Sequence, residues 1–155
     1  MNAMAPPRPA ELLHGCQLRL AAGPAAAGEA RGQVRAVLRA WDVPVDEDIA
    51  ILLTSELVTN AITHQAGGTV TLAVTCSSGQ LRVDVHDTSR SLPVLAAAPV
   101  DAETGRGLML VATLSDEWGS YRTPAGKAVY FTLALQPGLA GSGGRGLRGV
   151  QAWGL

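Results

Sequence analysis

The feature that most restricts this chain is a pair of short segments, 69–76 and 81–87, that alternate apolar and polar residues with a period of two. Val70, Leu72 and Val74 share one face of the first, and Leu81, Val83 and Val85 share one face of the second. Residues 77–80, Ser-Ser-Gly-Gln, separate them and carry a turn signal. Two strands joined this closely pair antiparallel. Their apolar faces then fall on one side of a sheet, and that side needs a cover. A two-stranded ribbon is not stable in water alone, so the rest of the chain must supply further strands and a second layer.

That layer is legible upstream. Over 24–41, Val34, Val37, Leu38 and Trp41 recur at three- and four-residue steps, which predicts a helix with Pro24 in its first turn. A second helix is expected over 45–63, with Ile49, Leu52, Leu53, Leu57 and Ala61 inward and Gly67-Gly68 as its stop. Residues 16–20 alternate weakly and read as a first strand. Downstream, 108–114 reads as a short apolar helix, and 117–122 and 128–135 as strands joined by a turn at 123–127. The expected fold is α+β: a two-layer sandwich with one mixed, mostly antiparallel sheet and helices on one face. Hydrophobic residues make up 47% of the chain but aromatics only 4%, so Ala, Val, Leu and Ile must build the core.

The length of 155 residues suits one domain. Residues 1–14, with Pro6, Pro7 and Pro9, read as a flexible lead, 15–136 as the domain, and the Gly-rich 137–155 as a disordered tail. Residues 88–104 lack a pattern, and a loop of that length in a small domain is usually functional. Net charge is −1, with 12 Lys and Arg spread along the chain, so the basic footprint of a nucleic-acid binder is missing. Cys16 and Cys76 have no metal-ligand spacing and read as packed thiols. No apolar run reaches the roughly 18 residues of a membrane span, and the first residues hold no signal-peptide core. No membrane role and a cytoplasmic location are the expectation.

Polar residues interrupt the apolar pattern in three places. With Ile49 at zero on the second helix, Glu56 falls at about −20° and Asn60 at about +20°. Both then lie in the middle of the stripe expected to face the sheet. An unpartnered buried carboxylate costs several kcal/mol or more, so either these side chains serve a ligand, or the stripe is frayed there, or they form a buried structural pair. Asp87 has the same parity as Leu81, Val83 and Val85, which turns it toward the helices at the strand's end. It suits either a hydrogen bond from an exocyclic amine or the start of a turn. Asp84 and His86 take the opposite parity and read as solvent-facing, and they form no nucleophilic triad with Ser89. Third, Gly105-Arg106-Gly107 precedes an apolar helix, where glycines and a helix N-terminus admit a phosphate. Neither the P-loop nor the dinucleotide fingerprint is present. His64 lies one turn beyond Asn60, near the same face. His14 reads as a solvated residue of the lead, and Trp41 and Trp118 as core or partner-facing aromatics.

Glu56-Leu57-Val58-Thr59-Asn60-Ala61, then Asp87, then Thr104-Gly105-Arg106-Gly107-Leu108 resemble the conserved boxes of the Bergerat-fold (GHKL, histidine kinase-like) ATPases. The likeness covers roughly 16–135 and is nearest to the stand-alone anti-sigma-factor serine kinases of actinobacterial type. It implies ATP and Mg²⁺ as cofactors. It implies that Asn60 coordinates the metal, that Glu56 is the catalytic general base, and that Asp87 accepts the adenine amine. Gly105, Arg106, Gly107 and Leu108 would form the phosphate loop, and 88–104 the lid. The implied activity is transfer of the terminal phosphate to an anti-anti-sigma protein, with homodimer formation through the first strand and helix. Two positions depart from the family pattern: Ser89 stands where the adenine box carries Gly, and Ala128 where many relatives have Thr. They favour the alternative of a catalytically weak module that sequesters a sigma factor or another regulator.

Overall fold

The two alternating segments fold as their period demands. The computed structural model describes residues 12–65, 67–89 and 103–136, with backbone alone for 103–106. The elements run β1 (Leu12–Ala21), α1 (Ala26–Trp41), α2 (Glu47–His64), β2 (Thr69–Ser77), β3 (Gln80–Asp87), α3 (Glu103–Leu114), β4 (Glu117–Arg122) and β5 (Lys127–Ala134). The strands form one sheet in the order β1-β2-β3-β5-β4. Every pairing among the described strands is antiparallel, so the sheet holds none of the parallel pairs that a mixed sheet would contain.

Register puts the apolar sets on one face. Val74 lies opposite both Cys16 and Val83, and Val83 lies opposite Phe131. All three helices cover that face, and Leu20, Leu38, Leu53, Leu57, Leu72, Leu81 and Phe131 meet in one core. The first helix starts just after Pro24 and ends at Asp42, whose backbone turns left-handed (φ 54°) and donates to the carbonyls of Leu38 and Arg39. Asp46 caps α2 by accepting from the Ile49 amide at 3.1 Å. Gly67 and Gly68 follow α2 at φ 75° and 82°, a bend open to glycine.

Four expectations are corrected. Residues 12–14 belong to β1, and His14 is buried, stacked on Trp41 at 5.2 Å; the chain is already paired with β2 there, so it is no lead. The inward stripe of α2 is centred on Ala50, Leu53, Leu57 and Ala61, while Leu52 is exposed. Small Ala side chains let α1 and the sheet close in on that row, a preference that counting large apolar residues misses. Glu56 and Asn60 thus lie on the flank of the stripe rather than at its middle. The last helix begins at Glu103, so Gly105, Arg106 and Gly107 are inside its first turns instead of ahead of it. Finally, Asp84 faces away from the helices yet is only 2% exposed. It forms a bidentate pair with Arg82 (2.8 and 3.0 Å) and accepts from the Tyr121 hydroxyl at 2.7 Å. The Arg82 guanidinium stacks on Tyr130 at 3.8 Å. His86, on the same face, is half-buried beside Tyr121. The proposed lid at 88–104 lies mostly outside the described residues, as do 1–11 and 137–155.

Candidate functional site

One end of the sheet collects the residues that broke the sequence pattern. Asp87 closes β3, and its register partner is Lys127, the first residue of β5. Their side chains turn to the helix face, where Lys127 Nζ lies 2.5 Å from Asp87 Oδ2, both fully buried. Asp87 Oδ1 accepts from the Ser89 amide at 2.8 Å. Gln65, just past α2, ties this end together. Its Oε1 accepts from the Thr88 amide at 2.8 Å, and its Nε2 donates to the carbonyls of Gly67 (2.6 Å) and Thr69 (3.1 Å). A Cβ on Gly126 would overlap the Asp87 carbonyl and the Thr88 backbone, so only glycine lets the β4–β5 turn close over the end of β3.

The C-terminal half of α2 runs past this corner. Burial lowers the pKa of His64 below its usual 6.5, the Lys127 charge lowers it further, and Asp87 acts in the opposite sense. His64 therefore sits within electrostatic reach of the ion pair. Its Nδ1 is shut away from solvent with no partner among the described residues. One turn earlier Asn60 is only 4% exposed, and neither its Oδ1 nor its Nδ2 has a partner among the described residues. A buried amide without hydrogen bonds costs roughly 1–3 kcal/mol per group. A polar partner would offset that cost, and the side-chain carbonyl oxygen is a hard ligand suited to Mg²⁺. No three His, Cys, Asp or Glu side chains converge on a metal cage among the described residues.

A further turn back, Glu56 is half-buried and makes no hydrogen bond or ion pair among the described residues. Gly107 of α3 is packed on it: a Cβ there would stand 2.5 Å from Glu56 Oε1. The sequence-derived set thus divides. Glu56, Asn60 and Gly107 lie along one edge of α2, and Asp87 at its far end. Leu108, 1% exposed, belongs to the core and anchors α3. For Gly105 and Arg106 only the backbone is described, inside α3. Sequence reading missed Lys127 and Gln65. Lys127 was open to detection, because it shares the parity of the buried Val129, Phe131 and Leu133, the same signal that marked Asp87. Gln65 carries no such signal.

Residues 20–133 match the family model of the histidine kinase-like ATPase domain. No curated protein matches the chain. None of the described helices is long and apolar enough to cross a membrane.

Proposed function

This chain belongs to the histidine kinase-like ATPase domain family, and from that premise we propose that it is a regulatory serine protein kinase. In this reading it binds Mg²⁺-ATP and passes the terminal phosphate to an anti-anti-sigma protein. Asn60 would hold the metal, Asp87 would read the base, and the first turns of α3 would face the phosphates. Phosphoryl transfer asks for positioning, charge neutralisation and a base that orients the hydroxyl. A cation held by Asn60 would supply the charge neutralisation.

The observation that carries the reading is the state of Glu56. It is a half-buried carboxylate with no partner among the described residues, one helical turn from an orphaned Asn60. A structural carboxylate in such a place is ordinarily paired. One left free beside a ligand site is available to accept the proton of a serine hydroxyl. The test is single-turnover transfer from labelled ATP to candidate antagonist proteins from the same genome, with Glu56→Gln alongside. The variant should lose a factor of roughly 10²–10⁴ in rate with much less change in ATP affinity. Equal rates would remove Glu56 from the base role.

A second reading, a regulator-sequestering module that transfers no phosphate, is favoured by the state of Asp87. Both of its oxygens are engaged and its side chain is fully buried, so base recognition needs adjustment at that corner. This reading expects ATP-dependent capture of a partner and no labelled product.

A further inference from the structure

The outer surface of the helix layer carries apolar side chains that the core does not use. Among the described residues five large apolar side chains are exposed: Leu13 on β1, Leu52 on α2, and Met109, Leu110 and Leu114 on α3. Single exposed leucines are ordinary, and only a group of them marks an interface. Three of these form such a group. Gly107 packs on Glu56, which fixes where α3 meets α2. The C-terminal end of α2 reaches the ion pair at Lys127, whereas α3 leads to Glu117, which lies opposite Thr132 toward the other end of β5. The two helices therefore run in opposite directions. Leu52 is one turn back from Glu56. Leu110 and Leu114 are one and two turns on from Gly107, within about 60° of its side of α3. The three leucines, 37%, 38% and 36% exposed in that order, thus line the outer groove between α2 and α3 in a strip that leads to the Glu56 carboxylate. Met109 lies on the far flank of α3 and takes no part.

We propose that this strip is the docking surface for the protein substrate, and that it takes an amphipathic helix with an acidic edge. The proposal rests on the kinase reading above and names where its partner binds. A cleft between antiparallel helices accepts a third helix, whose apolar residues at every third and fourth position enter it. Charge fixes the edge. Arg31, Arg35 and Arg39 follow one another at four-residue steps on α1, along the other flank of α2. Arg39 holds Glu47 through two hydrogen bonds, and Arg35 lies 3.7 Å from the same carboxylate. Arg31 is exposed, and its one partner among the described residues is a neutral hydroxyl, Ser55 Oγ at 3.0 Å. Ser55 precedes Glu56, so the uncompensated cation stands at the end of the strip where the serine hydroxyl must arrive. The other end carries Asp48, exposed and one turn before Leu52. The complementary helix is therefore acidic beside its serine and basic at its far end, since like charges across an interface repel the wrong partner or the wrong direction.

The test measures binding of candidate antagonist proteins from the same genome to the full-length protein, by calorimetry in Mg²⁺-ATP, alongside phosphate transfer. Leu52→Ser and Leu110→Ser should each weaken capture roughly 10-fold or more, the loss on truncating an apolar anchor, with ATP affinity unchanged. Met109→Ser, on the far flank, should bind as the unmodified protein does. Arg31→Glu should weaken capture chiefly by slowing association, and should flatten its dependence on salt. If Leu110→Ser fails to fold, Leu110→Gln keeps a good helix former and reads the same contact. An antagonist bound equally by all these variants, or weakened as much by Met109→Ser, would overturn the docking surface and leave the kinase reading standing. Loss in the leucine variants without loss in Arg31→Glu would overturn the acidic edge. Capture weakened by the leucine variants with no phosphate transferred would support the surface and overturn the kinase reading. Binding of no candidate would overturn both. A dimer that Leu110→Ser converts to a monomer in sedimentation, with antagonist affinity unchanged, would give the strip to a second copy of this chain and overturn the proposal.

Discussion

Replacing Gly107 with alanine puts a methyl group where the tip of Glu56 already is. The added Cβ would stand 2.5 Å from Glu56 Oε1 but 3.6 Å from its Cδ and 3.7 Å from its Cβ. Only the carboxylate oxygen is in conflict. To reach ordinary contact at 3.4 Å it must retreat by about 0.9 Å. A flexible side chain does that by turning, so the backbone of α2 and α3 need not move. Leaving a good rotamer costs of the order of 0.5–1.5 kcal/mol. Removing a glycine from a helix interior gains about 0.5–1 kcal/mol. The two nearly cancel, and stability should stay within roughly 1 kcal/mol of the unmodified protein. Catalysis has no such compensation, since a misplacement of about 1 Å in a catalytic group costs on the order of 10² in rate. Gly107→Ala should therefore melt normally, bind ATP with little change and transfer phosphate roughly 100-fold more slowly in single turnover. A normal transfer rate in a folded variant would refute the argument, because the position of the Glu56 carboxylate would then not matter. Weak ATP binding with a normal single-turnover rate would refute it too, by assigning the glycine to phosphate approach instead.

Three further outcomes are expected. Asn60→Ala should abolish most of the Mg²⁺ dependence of ATP binding, seen by titration with and without a chelator; no hydrogen bond is lost among the described residues, so the melt should shift little. Asp84→Asn should destabilise the fold by roughly 3–5 kcal/mol in urea unfolding, the cost of breaking a buried pair, and leave ATP affinity unchanged, because Arg82 and Tyr121 lie on the sheet face away from α2. His64 should titrate below its usual 6.5 by NMR, for reasons of burial first and the Lys127 charge second. A folded value below the unfolded one means that the unfolded chain binds the proton first as pH falls. The stability that this group contributes is thus complete above 6.5 and declines below it, and His64→Gln should make unfolding less sensitive to acid in that window.

The sheet-and-helix class was legible in the chain because a period of two and a period of 3.6 each describe a single element, and neither needs a neighbour to be read. The same holds for Asp87. Its parity within β3 is a local fact, and the structure turns it to the helix face as that parity requires. The same kind of count puts Glu56 and Asn60 together on one face of one helix, in the middle of the stripe expected to face the sheet. Their depth was misjudged, because the centre of the buried arc is set by Ala50 and Ala61, whose small side chains admit α1 and the sheet. What the linear pattern does not contain is which strand lies beside which. β5 enters between β3 and β4, and only that insertion brings Lys127 onto Asp87, forty residues away. The same pairing stacks Arg82, Asp84, Tyr121 and Tyr130 on the face that a period of two assigns to solvent. Likewise the fit of Gly107 against Glu56 depends on the approach of α3 to α2. Local periodicity records how a residue is oriented on its own element. Partners across elements are chosen by the packing of all of them at once, and charge pairing between strands is decided there.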